Sequence, residues 1–154
     1  MNKADYLFVF ISIIVGFAIF EIFSGIGQMV RKRKRIIFSY VQIAWVLLIG
    51  FSIIQLWGSM YQAMGKIDQN FGYFLLILLP IFFLFLDSVM IFPDFAETGK
   101  KISLRKHFFD NRAWIILSFA LYIFSTMLVM HTYFDLSWLR ASDIFRYVLL
   151  AILC

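Results

Sequence analysis

Glu21, Gln42, Asp87 and Ser118 are the residues whose types and spacing promise chemistry, because each falls inside a long apolar run. A charge near the middle of a bilayer costs on the order of 3 kcal/mol on insertion scales, so it faces protein or water and seeks a partner. Glu21 lies ten residues before Arg31, roughly 15 Å from the nearer surface at about 1.5 Å per residue, or roughly 10 Å if Gln28 already marks the interface. Asp87, in FLFLDSVMIFPDF, is about five residues from the same end, in the same half of the bilayer and shallower than Glu21. Gln42 lies about seven residues above the start of its run, with Ser39 one turn below, and Ser118 falls near the depth of Asp87. Four segments thus each offer one polar group to a single inner layer. Two acids with no intramembrane lysine or arginine beside them would be protonated or neutralised by a cation, unless juxtamembrane cations snorkel inward. Such a layer can form a cation or proton site, or line a water-filled vestibule, since acidic rings favour cations. It can equally fix helix register through mutual hydrogen bonds, which average only about 0.6 kcal/mol inside membranes.

The elements that must position these groups follow from composition. Of 154 residues, 63% are hydrophobic and only 15% charged, against roughly 45–50% and about 25% in soluble domains. Apolar stretches at 6–30, 36–60, 71–92 and 114–130 reach or approach the roughly 20 residues that cross a bilayer as a helix. Helices are required because hydrocarbon leaves no other partner for backbone amides. The expected fold class is all-α, a polytopic transmembrane bundle forming one domain over 1–154. A partial fifth run, 145–154, is too short to span and suggests that the natural chain continues beyond Cys154. That lone cysteine excludes an intrachain disulfide framework and any multi-cysteine metal site.

Cations set the orientation. Arg31, Lys32, Arg33, Lys34 and Arg35 separate the first two runs, and Lys100, Lys101, Arg105, Lys106 and Arg112 lie between the third and fourth. Lys3, Lys66, Arg140 and Arg146 fall on the other side. The positive-inside rule places the 31–35 and 93–113 loops in the cytoplasm and the N-terminus outside. The first run then acts as a reverse anchor rather than a cleaved signal peptide, whose cations would precede it. The short GKIDQN link at 65–70 makes spans two and three an antiparallel hairpin. The stretch LRKHFFDNRAW mixes cations with aromatics, as a short helix at headgroup level does.

On the first span, Ile14, Ala18, Glu21, Gly25 and Gln28 share one helical face, with Ser24 beside it. Small residues such as Ala18 and Gly25 let a neighbouring helix approach closely. Pro80 removes a backbone hydrogen bond from span three and is expected to kink it. The run Arg31–Arg35 is first a topology signal, and together with Arg105 and Lys106 it is also a candidate surface for anionic lipid or a soluble protein partner. The sequence pI of about 9.5 therefore implies no direct nucleic-acid binding. His107 and Asp110 have the HxxD spacing of two metal ligands, but a catalytic zinc needs three, so no metal or other cofactor is expected. His131 stands alone at the outer end of span four. GxSxG, HExxH, P-loop and dinucleotide fingerprints are all missing, so no enzymatic activity is expected.

Four segments carry a resemblance: SGIGQMVRKRKR, YVQIAWVLLIGFSIIQLWGSMY, LLPIFFLFL with MIFPDF, and LRKHFFDNRAW. Spread over residues 24–114, they resemble a group of small multi-pass bacterial inner-membrane proteins to which no reaction is assigned. The likeness implies an architecture and no active residues. In size and span count alone the chain is similar to accessory membrane proteins encoded beside RNA-targeting CRISPR effectors, which implies an antiviral role. The resulting expectation is a non-enzymatic, homo-oligomeric inner-membrane protein that conducts ions or modulates permeability. The alternatives are an accessory or scaffold subunit working through its basic loops, and a small proton-coupled carrier using Glu21 and Asp87. A carrier lacks a second half-repeat here.

Overall fold

Apolar runs holding Pro80 as their one proline fold into four helices in the computed structural model, which describes residues 3–63, 71–95 and 101–134. Helix α1 covers Lys3–Arg31, α2 Tyr40–Ala63, α3 Phe71–Met90 and α4 Leu104–Phe134. A 3-10 turn at Arg33–Arg35 leads into strand β1, Ile36–Ile37, and strand β2, Ile102–Ser103, precedes α4. Three helices are long and apolar enough to cross a membrane: Tyr6–Arg31, Tyr40–Ser59 and Leu104–Thr132. Helix α3 adds a shorter apolar stretch, Phe74–Met90. The 65–70 link and the 145–154 run lie outside the described residues.

Helix α3 packs on all three others and α2 contacts both α1 and α4, so α1 and α4 lie on opposite sides of the α2/α3 pair. The core between them is Ile11, Val15, Ala18, Trp45, Ile49, Ile53, Ile77, Ile81, Leu84, Phe119 and Tyr122. Phe17, Phe20, Phe23, Leu47, Phe82 and Phe124 point outward and stay exposed. In water so many exposed aromatic rings would drive aggregation, whereas lipid tails solvate them.

Two features differ from the sequence expectation. Helix α4 begins at Leu104, so the stretch expected as a separate interfacial helix is continuous with the fourth apolar run. No glycine or proline interrupts KHFFDNRAW, and Asn111 Nδ2 donates to His107 O at 3.0 Å across one turn. The second difference is strand pairing. β1 and β2 run parallel with Ile36 opposite Ile102 and Ile37 opposite Ser103, which ties the two basic segments together. Beneath them Met29, Ile36, Phe95 and Leu104 form a small apolar cluster that closes this end of the bundle. Lys32 donates through Nζ to Phe95 O and so adds a polar tie across the same end.

Gly25 is the glycine that the fold requires. A Cβ at this position would overlap the ring of Phe92, so α1 and the chain after α3 meet at glycine contact. Gly25→Val is expected to destabilise the protein by about 1–3 kcal/mol through overpacking. Denaturation of the detergent-solubilised protein measures it, with Gly27→Val, where a Cβ meets nothing within 4 Å, expected to change stability far less.

Candidate functional site

Three of the four residues expected in one layer come together. Gln42 is the third residue of α2, and Nε2 donates to Ile91 O at 2.5 Å, just past the end of α3. One turn earlier on α3, Asp87 has 0% exposure. Ser118 of α4 lies beside it, and that hydroxyl donates instead to Phe83 O at 3.2 Å. Both Asp87 oxygens and Gln42 Oε1 are buried without a hydrogen-bond partner. The layer therefore holds three orphaned acceptor atoms walled in by α2, α3 and α4. Buried acceptors without donors are costly and uncommon, which marks this cluster as a candidate site.

Glu21 does not join them. The buried stripe of α1 is Ile11, Val15, Ala18, Ile22, Gly25 and Met29, and Glu21 lies on its flank, half-buried. Ala18 and Gly25 of the expected packing face are in that stripe, while Ile14, Ser24 and Gln28 are half-buried like Glu21. Among the described residues Glu21 forms no hydrogen bond or ion pair. Phe10 meets Phe74 with ring centroids 5.9 Å apart, and Gly25 lies under Phe92. Helices α1 and α3 therefore run parallel, with Glu21 level with residues 85–88 along the pair.

Trp45 is a neighbour that sequence reasoning missed. One turn beyond Gln42, it is fully buried, its ring centroid 6.0 Å from Phe108 and 5.4 Å from Phe119 in an edge-on contact. Nε1 of Trp45 is buried without a partner, as is Ser52 Oγ two turns further along α2. The signal was present, because Trp45 follows Gln42 at helical spacing. Buried Ser88, Ser125 and Thr126 donate back to carbonyls of their own helices, Phe85 O for the first and Tyr122 O for the other two. Pro80 is buried within a continuous α3.

His107, considered above as half of an HxxD pair, is engaged elsewhere. Nε2 meets Met90 O at 3.1 Å at the C-terminus of α3, and Asn111 Nδ2 lies 3.3 Å from Nδ1. Asp110 is exposed on the next face. Among the described residues no three His, Cys, Asp or Glu side chains gather as a metal site.

The cations expected to bind lipid or a partner cluster at one end. Arg31, Arg33, Lys34 and Arg35 are exposed and Lys32 half-buried. Arg105 and Lys106 are exposed in the first turn of α4, and Arg105 and Arg112 each place a guanidinium 5.6 Å from the Phe109 ring centroid. No known protein family, curated protein or solved structure matches the chain.

Proposed function

We propose that this chain is a non-enzymatic integral protein of the bacterial inner membrane, with four spans and the N-terminus outside, that assembles as an oligomer and alters ion permeability through its acidic layer. The observation that carries the proposal is Asp87, a fully buried carboxylate with two unpartnered oxygens inside the apolar stretch of α3. A fold built for stability alone gains nothing from such a group, whereas a cation- or proton-binding position uses it. The layer is packed shut within one chain, so passage requires either opening between α2, α3 and α4 or an axis between subunits. Glu21, half-buried on the flank of α1 at the same level, is the acid a neighbouring subunit could meet.

Planar-bilayer recording of the purified protein tests this reading. Cation-selective current is expected from the wild type, with selectivity lost in Glu21→Gln plus Asp87→Asn. Absence of current at every pH, or unchanged selectivity in the double variant, overturns it.

One observation favours a second reading, an accessory subunit working from its basic end. The β1–β2 pairing and the apolar cluster beneath it give the basic segments a built platform, which a mere topology signal does not need. Neutralising exposed cations there would then abolish co-purification of a soluble partner, while changes at Asp87 would leave it intact.

A further inference from the structure

The geometry points to a single composite site for a phosphate-bearing lipid headgroup, made by the two basic segments that β1 and β2 hold side by side. This inference rests on the placement of the basic end at the headgroup level in the reading above, and is independent of ion passage. Arg33, Lys34 and Arg35 enter β1, and Lys101 precedes β2, followed by Arg105 and Lys106. Parallel register sets Ile36 against Ile102, so Arg35 and Lys101 become neighbours across the pair although they are far apart in sequence. All six cations are exposed. The exposed carboxylates of this end, among the described residues, are Asp94 and Asp110, too few to neutralise them. Holding six like charges together is unfavourable unless an anion completes the arrangement.

Two hollows flank the strands. One, of about 470 Å³, is lined by residues 30–35, and the other, of about 380 Å³, by Ser103, Arg105, Lys106 and Phe109. Ser103 Oγ accepts from Lys106 N at 3.3 Å, which fixes the first turn of α4 against the second hollow. The dipole of α4 adds positive potential there without being the site by itself.

What assigns the anion to a lipid is the apolar rim. Ile37 is 55% exposed and Phe38 52%, directly after the Arg33–Arg35 turn, and Phe109 is exposed inside the second hollow. A free phosphate offers these side chains nothing. A headgroup delivers its phosphate to the cations and its acyl region to the rim in one contact.

The test uses the full chain in nanodiscs of phosphatidylcholine with a minor fraction of phosphatidylglycerol, reading the lipids retained after mild detergent extraction by native mass spectrometry. Both leaflets carry the probe, so insertion orientation does not affect the result. Wild type is expected to retain phosphatidylglycerol selectively. Arg33→Gln with Arg35→Gln, or Arg105→Gln with Lys106→Gln, is each expected to reduce retention by about thirtyfold, at the surface energy of two lost cations. Combining the pairs should multiply the two losses to roughly a thousandfold, because both pairs hold the same headgroup and their surface energies add. Ile36→Asn, which keeps every charge but disrupts the cluster under β1, is expected to weaken retention as well, scored on protein that elutes as the wild type does. Three results overturn the composite lipid site: a combined variant that loses no more than one pair alone, full retention by Ile36→Asn, or displacement of the lipid by inorganic phosphate. None of these bears on bilayer current, so the permeability reading stands or falls separately.

Discussion

Asp87→Leu is expected to make the protein more stable by about 1–3 kcal/mol and, under the proposed permeability role, to abolish cation-selective current. The stability gain follows from what the carboxylate lacks. Neither oxygen accepts a hydrogen bond, and a buried acceptor left without a donor costs about 1–3 kcal/mol. Leucine removes that cost and fills the volume with a side chain suited to Leu84, Ile91 and Ile115, the apolar groups buried in the same core. Nothing is orphaned by the change, because the Ser118 hydroxyl donates to Phe83 O and the Gln42 amide to Ile91 O. Asp87→Asn should fall between wild type and leucine, since it removes the charge but keeps a polar group without partners. Unfolding of the three proteins in mixed micelles gives the order, and bilayer recording gives the functional cost. A variant that loses several kcal/mol on Asp87→Leu would show the carboxylate to be partnered in the native state, and would remove the main support for a functional acid. Stability rising while function falls is the signature of a site retained at a cost to the fold.

That site was partly legible from residue positions alone. Gln42, Asp87 and Ser118 are each interior to an apolar run and lie at similar distances from one basic end, so counting residues brings them to one depth. Depth says nothing of azimuth, and there Glu21 departs. It is adjacent to Ile22 and three residues after Ala18, both centred on the packed stripe, yet the helical rotation leaves Glu21 on the flank. The relative level of Glu21 and Asp87 also depended on how far α1 slides along α3, which is set by Phe10 on Phe74 and Gly25 under Phe92. Side-chain interlocking of that kind leaves no periodicity to read.

The basic end was legible as charge but not as structure. Two-residue strands at Ile36–Ile37 and Ile102–Ser103 are too short for an alternation pattern, and their pairing is decided by the fold around them. The cluster of Met29, Ile36, Phe95 and Leu104 draws one residue from each of four separate segments. Continuity of α4 through Leu104–Phe134 was hidden for a related reason. Hydropathy marks where a helix enters lipid, not where it begins, and His107 with Asn111 carries the helix on outside the apolar run.

Trp45→Ala is expected to produce the largest loss of stability of any single substitution in the described core, about 3 kcal/mol. In water, truncating a buried tryptophan costs about 3–5 kcal/mol, part of it lost transfer of apolar surface. That transfer component largely vanishes in a bilayer, where tails are as apolar as the core. The cavity and the forfeited dispersion contacts remain, and both are substantial for a ring wedged between Phe108 and Phe119. An opposing contribution comes from Nε1, whose buried N–H has no acceptor and is deleted with the ring. Trp45→Phe separates the two, because it keeps most of the packing and removes only the orphaned donor. It should be close to wild type in stability, or slightly better, while Trp45→Ala falls well below. Thermal unfolding in the same detergent gives both numbers. The permeability reading adds a further expectation, since Trp45 follows Gln42 by one turn and walls the layer from the apolar core beyond. A cavity there gives cations a way past the layer, so Trp45→Ala should leak current that Trp45→Phe does not, and equal currents from the two would place the passage outside the α2–α3–α4 interior.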